Sequence, residues 1–429
     1  MKINIKPAEK IEGRTRMPGD RDIAQRALLF SSLSEGTMEI DGIPETDEIR
    51  STLKCLKNLG SEIEENGAKT TIKGKGLRGL REPDNVLDVG SSNSTACLLT
   101  GLLAGQTFYS TLTGESSLKQ YSMRSVTEPL MQMGASISGR RNGECLPLAI
   151  RGYDLLPINY TLPFACSQLK SALLTASLYS RGISELIDTY QTRDHTERAL
   201  RHLGVGIKKL GRYYINLKNP VKLKGETFYI PADISIASFF IVAATLAPRG
   251  ELYLEDVGIN PSRTGILEVL GMMGADIRME NQREYNNEPL VDLIVKGGRK
   301  LTGTEIPEMR LYRLIDEIPI LTVAALFAEG DTTIKGVNVL PLQILERLRL
   351  LLSELRKMGA AVKELDDSII IRGSTKLSGA QCESHDDHVI AMALAAAALF
   401  AQDESVICGS EAVQSSFPGY FDVLNTLVS

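Results

Sequence analysis

Apolar residues in this chain come in blocks of about twelve, each opened by a polar or charged side chain and most closed by glycine. Six such blocks stand at 22–36, 92–105, 167–182, 233–250, 316–330 and 387–403, with starts about 70–80 residues apart. Ala-Leu content at this length predicts helices, and near-continuous apolarity predicts that they are buried all round. Asp and Ser at the starts are expected caps, and the closing glycines suit a left-handed position past the helix end.

Between the blocks a second unit recurs: an amphipathic helix, then Leu or Met, Gly, a small residue and an alternating strand. Leu59-Gly60-Ser61, Met133-Gly134-Ala135, Leu203-Gly204-Val205, Met273-Gly274-Ala275 and Met358-Gly359-Ala360 carry it, and the sixth seam is expected where the chain ends meet. Each repeat therefore reads as strand–helix–strand–helix, three to a domain. Buried helices that all follow equivalent strands should point one way. Their positive ends would then gather into an anion-attracting site.

Length and charge narrow the class. A chain of 429 residues favours two domains. A net charge of −5 offers no basic field for nucleic acid. The apolar run 389–401 falls short of the roughly 20 residues needed to span a membrane, and the N-terminus lacks a signal-peptide core. The six cysteines have no paired spacing and there are only four histidines, so free thiols in a cytoplasmic protein without a metal centre are expected.

Several motifs are more specific. They are Pro18-Gly19-Asp20 with Arg26-Ala27-Leu28, Leu112-Thr113-Gly114, and Arg193-Asp194-His195-Thr196-Glu197-Arg198. Further along come Asn260-Pro261-Ser262-Arg263-Thr264-Gly265, Arg313-Leu314-Ile315-Asp316-Glu317-Ile318-Pro319, Asp387-His388 and Ser416-Phe417-Pro418. On these, over essentially the whole chain, the sequence resembles the EPSP synthase family of enolpyruvyl transferases. The resemblance implies an α/β fold: a two-domain inside-out barrel with three strand–helix repeats per domain. The domains would be 21–231 and 1–20 plus 232–429, joined by two strands near 17–20 and 230–233. It also implies a monomer without cofactor or metal, closing over a phosphorylated cyclohexene and phosphoenolpyruvate.

Set against that family, the substitutions carry their own expectation. The family's Lys-Ser at the first helix is Arg21-Asp22, and arginine cannot shuttle a proton near neutrality. Asp22 would set a carboxylate against the substrate's phosphate. Asn-Ser-Gly-Thr becomes Ser91-Ser92-Asn93-Ser94, the loop arginine is Tyr121, and Lys-Glu-Ser-Asp-Arg becomes Gln343-Ile344-Leu345-Glu346-Arg347. The arginine after Asp-His is Val389, and the late lysine is Ser415. Of the phosphoenolpyruvate contacts only Gln168 and Arg347 remain. One unpaired buried charge costs about 3–5 kcal/mol, and helix dipoles return only about 0.3–1 kcal/mol each.

The ring side is better kept: Arg26, Ser167 and Gln168 match, Thr192 replaces a serine, and Asp316 matches the carboxylate that meets a ring hydroxyl. The expectation is therefore a divergent enzyme that binds a shikimate-like or cyclitol-like hydroxylated ring, with or without a phosphate, and does not carry out ordinary phosphoenolpyruvate transfer. One alternative is the orthodox transferase, with Lys119, Arg124 or Lys170 supplying the missing cations. Another is a non-catalytic ligand-binding relative.

Asp316 is the candidate acid–base group, with a helix cap as its plain reading. Arg21 is a second candidate at the reacting end, and Arg21 and Asp22 adjoin closely enough to pair with each other. His388 has a side chain able to exchange protons near neutrality, and a capping role suits it equally. His195 opens an amphipathic helix, where packing and ligand contact are evenly matched. Asn93 and Tyr121 complete the altered half-site. Cys166, just before the third block, is either a stabilised thiolate or a small filler.

Overall fold

The computed structural model describes residues 1–67, 69–210, 214–218, 222–374 and 376–428. The chain divides into two compact units: Gly19–Ile230 with Glu284–Glu288, and Met1–Pro18 with Pro231–Arg283 and Pro289–Ser429. The short segment Glu284–Glu288 is the unforeseen part. It lies in the second half of the sequence yet groups with the first unit.

Each apolar block is a helix. Arg21–Ser32, Asn93–Ala104 and Ser167–Ser177 form the interior of the first unit. Ile234–Leu246, Ile318–Leu326 and His388–Ala398 form that of the terminal unit. Val389–Ala398 is buried at every position, as an all-apolar helix must be when it faces protein on all sides.

The caps are shifted from expectation in three places, the third helix being capped by Cys166 rather than Ser167. The first helix begins at Arg21 and is capped by Asp20, whose side chain accepts from the Ile23 amide at 3.0 Å. The fifth begins at Ile318 with Glu317 in the cap position, so Asp316 lies on the preceding turn rather than at the helix start. Pro319, lacking an amide proton, sits in the first turn, where that proton would have no helical partner anyway. Ser92, Asp233 and Asp387 cap as their chemistry requires.

Among the described residues the inner helices are wrapped by sheets, three in each unit, and five of the six share one strand order. In Leu87–Asp88, Tyr109–Thr113, Cys145–Arg151 and Ser136–Gly139, for example, the first pair is parallel and the next two are antiparallel. The parallel pair brackets a buried helix, and the antiparallel pair is a hairpin that follows an outer helix. Each of these five four-stranded sheets thus has two strands more than the strand–helix–strand–helix reading gives. The sixth sheet joins Gln381–Glu383, Ser405–Cys408 and the N-terminal strand Lys2–Ile5, with Lys2 opposite Cys408.

The left-handed glycines are not where the closing-glycine reading placed them all. Gly105 has φ −90° and is the helix C-cap itself. The left-handed position past a helix end is instead taken by Gly60, Gly134, Gly204, Gly274 and Gly359, all after outer helices, with φ between +83° and +104°. The residue after each closes the same six-residue ring: Ser61 to Leu56, Ala135 to Leu130, Val205 to Leu200, Ala275 to Leu270 and Ala360 to Leu355, at 2.9–3.1 Å. That bond satisfies a helix-end carbonyl, and glycine supplies the required φ without a Cβ clash.

Candidate active site

In the Gly19–Ile230 unit the polar starts of all three inner helices meet. Gln25 donates to Ser92 Oγ and Thr95 Oγ1, both at 3.0 Å, joining the first helix to the second. Arg26 joins the first to the third: Nη2 donates to Ser171 Oγ at 2.9 Å and Nε to Thr196 Oγ1 at 2.8 Å. Its Nη1 donates to the Asp22 carbonyl at 2.7 Å. With every guanidinium nitrogen donating to protein and its side chain buried, Arg26 ties the helix ends together.

Arg21 and Asp22 each meet a partner from elsewhere in the unit. Arg21 Nη1 lies 2.6 Å from Glu48 Oε1, on the outer helix Asp47–Asn58. Glu48 Oε2 accepts from Ser92 Oγ at 2.7 Å, so one carboxylate serves two helix starts. The buried Asp22 carboxylate faces two guanidiniums: Arg193 Nη1 at 2.9 Å from Oδ2 and Arg26 Nη1 at 3.7 Å from Oδ1. Each introduced charge has thus acquired a counter-charge. Glu48 was missed from sequence because it belongs to an amphipathic helix, where an acidic residue reads as solvated surface.

Lys170, one turn into the third helix, is fully buried and donates three bonds. They reach Asp188 Oδ2 at 2.9 Å, Glu197 Oε1 at 2.9 Å and the Thr192 carbonyl at 3.1 Å. Burial works against the charged ammonium, but Glu197 and Asp188 together raise its pKa above the ordinary lysine value. Asp188 also accepts from the Thr192 hydroxyl at 2.8 Å and the Thr192 amide at 2.9 Å. The loop carrying Thr192 is therefore fastened to the helix that begins at Ser167. Lys170 is consumed in that tripod and is not a spare cation for a ligand. Arg124 is likewise engaged, with Glu128 at 3.3 Å and Glu144 at 3.5 Å.

His195 is buried, with Nδ1 2.8 Å from Glu288 Oε1. Its Nε2 has no hydrogen-bond partner among the described residues. Ser167 and Gln168 are half-buried, the Ser167 hydroxyl donating to Gln168 Oε1 at 3.2 Å. Asn93 is exposed on the first turn of the second helix, and Tyr121 is exposed at the end of the short helix Leu118–Gln120. Cys166 caps the third helix through its sulfur, and burial raises its pKa, so the stabilised-thiolate reading fails.

The terminal unit gathers its own polar starts. The buried Glu317 carboxylate accepts from Ser235 Oγ. Arg263 Nη2 reaches Ser235 Oγ at 2.7 Å and Asp233 Oδ1 at 2.9 Å. Asp387 caps the sixth inner helix at the Val389 amide (2.8 Å) and holds Arg347 Nε at 2.6 Å through its other oxygen. His388, half-buried, is the first residue of that helix, and Asp316 is half-buried on its turn. Glu317 stands beside Asp316 in the quoted motif, and Arg263, from another quoted motif, joins Asp233 and Ser235 into one network with it.

Among the described residues no group of three His, Cys, Asp or Glu side chains could hold a metal, and no helix is long and apolar enough to cross a membrane.

Comparison with known proteins agrees with this architecture. Residues 5–424 match the family described as EPSP synthase (3-phosphoshikimate 1-carboxyvinyltransferase). The 3-phosphoshikimate 1-carboxyvinyltransferase of Pelotomaculum thermopropionicum is 43% identical over 99% of this chain and 98% of its own. That of Desulforamulus reducens is 42% identical over all of both chains. A solved EPSP synthase from Acinetobacter baumannii superposes with a TM-score of 0.92 at 37% identity, covering 100% of this chain and 98% of its own. Such relatives give no support to the expectation of a changed reaction, and on fold, length and sequence together the chain belongs to the EPSP synthase family.

Proposed function

We propose that this protein transfers a carboxyvinyl group from phosphoenolpyruvate to 3-phosphoshikimate, the reaction named for its relatives. One observation carries the reading: identity of 42–43% over essentially the full length to enzymes that share that single name. In this reading the polar helix starts of the Gly19–Ile230 unit hold the ring, with Ser167, Gln168 and Thr192 as contacts. Asp316 is the acid–base group, and Arg347 and His388 stand near the sixth helix start. Lys119, in the short helix Leu118–Gln120 ahead of Tyr121, has no ion-pair partner among the described residues and is, of Lys119, Arg124 and Lys170, the cation left to meet a ligand's charge.

The test is a phosphate-release assay on purified protein with both substrates. Release that needs both supports the reading, and absence of release at saturating concentrations rejects it.

A second reading is favoured by the side-chain pairing. Arg21 is held by Glu48, and Asp22 occupies the Arg26–Arg193 pair, so neither position offers an uncompensated cation. Ring binding without phosphoenolpyruvate turnover is its signature, and the same assay joined to calorimetric titration separates the two.

A further inference from the structure

The outer helix Leu342–Lys357 carries Arg347 and Glu354 about two turns apart, on one face. Both reach the turn that joins the strand Gln381–Glu383 to the sixth inner helix. Arg347 Nε meets Asp387 Oδ2 at 2.6 Å. Glu354 is buried, and both of its oxygens are engaged. Its Oε1 lies 3.0 Å from His385 Nε2. Its Oε2 accepts from the Glu383 amide at 3.0 Å and from Lys357 Nζ at 2.6 Å.

The turn so held is a strained one. The Asp387 amide donates to the Ser384 carbonyl at 3.0 Å, and the two residues between are both left-handed, His385 at φ +55° and Asp386 at φ +56°. That conformation is easy for glycine, and for other residues it persists where the surroundings over-determine it. On one side the buried Ser384 does so, its amide donating to the Cys408 carbonyl at 3.0 Å and its hydroxyl to the Gly409 carbonyl at 2.8 Å. On the other side stands Glu354.

We propose that Glu354 is a positioning residue: by holding His385 and the Glu383 amide it fixes the left-handed turn, and the turn sets Asp387, which caps the sixth inner helix and orients Arg347. The kinetic consequence rests on the carboxyvinyl-transfer reading, in which the ring is held in the Gly19–Ile230 unit. A guanidinium recognises an anion through a fork of fixed geometry, so a tilted Arg347 loses affinity. A defect in this turn therefore falls on phosphoenolpyruvate and spares the ring.

The experiment is steady-state kinetics of the full chain by phosphate release, with urea unfolding to establish that each variant is folded under the assay conditions. Glu354→Met keeps the volume and removes both acceptors. His385→Asn suits a positive φ but is too short to reach Glu354. Each is expected to raise KM for phosphoenolpyruvate at least fivefold while KM for 3-phosphoshikimate stays within twofold. Glu354→Gln, whose amide oxygen still accepts from the Glu383 amide, should give a smaller rise than Glu354→Met. If Glu354→Met does not fold, His385→Asn and Glu354→Gln carry the same test. An unchanged KM for phosphoenolpyruvate in the folded variants, or both KM values raised alike, overturns the inference.

A wild type that releases no phosphate removes the reaction and leaves the turn to be judged by hydrogen exchange over residues 383–390. Exchange at least tenfold faster in Glu354→Met and His385→Asn supports the positioning role, and unchanged exchange overturns it.

Discussion

Replacing Lys170 by methionine tests whether the ring-side loop is fixed by a buried charge. The side chain is fully buried and its ammonium donates to Asp188, Glu197 and the Thr192 carbonyl at 2.9, 2.9 and 3.1 Å. Methionine fills a similar volume but leaves two buried carboxylates facing each other without their cation. Breaking a buried pair in this way costs about 3–5 kcal/mol. Urea denaturation of the Lys170→Met variant should lose that much stability. Because the cost is the stranded charge rather than the lost contact, adding Asp188→Asn and Glu197→Gln should recover most of it.

The sign with pH is also set. The folded ammonium titrates above its unfolded value, so its contribution is complete below pH about 10.4 and is lost as pH rises through the folded pKa. A loss under about 1 kcal/mol in the single variant, or a triple variant no more stable than the single, refutes the reasoning.

Other outcomes follow from single contacts. Gly101→Ala would place a Cβ 2.3 Å from the Ala172 carbonyl on the neighbouring inner helix. Helix propensity favours alanine by about 1 kcal/mol, yet overpacking should make the variant about 1–3 kcal/mol less stable; a raised urea midpoint would show that the helices do not touch so closely. Asp387→Ala should cost about 1–2 kcal/mol by uncapping the sixth inner helix, with Asp387→Asn recovering most of it, and equal losses in the two would assign the effect to Arg347 instead. Burial pushes the Cys55 thiol up to about 12 and the Cys382 thiol to about 11, and raises that of Cys166. Iodoacetamide at pH 8 should accordingly label native protein slowly, and rapid labelling of Cys166 would contradict the placement.

What could be read from the sequence was whatever repeats. Six apolar blocks gave six inner helices because burial on all sides demands near-continuous apolarity beyond the paired polar residues of the first turns. The outer helices were legible through their Leu-Gly or Met-Gly endings, which the left-handed φ at Gly60, Gly134, Gly204, Gly274 and Gly359 explains. The side-chain partners were not legible. Glu48 lies 27 residues from Arg21, and Arg193 lies 171 from Asp22, so no local pattern announces either pair. Adjacency in sequence drew attention to Arg21 and Asp22 as a pair, but it could not announce Glu48 or Arg193, which the fold brings to them. Glu288 reaches His195 only because a short stretch of the second half groups with the first unit.

The most direct test of the central claim is a ligand-bound crystal structure of the unaltered protein with 3-phosphoshikimate at saturation. The account predicts ring density at the helix starts of the Gly19–Ile230 unit, against Gln168 and Thr192, with Asp22 still between Arg26 and Arg193. Density for the ring elsewhere, or a crystal soaked to saturation with none at those helix starts, would contradict it.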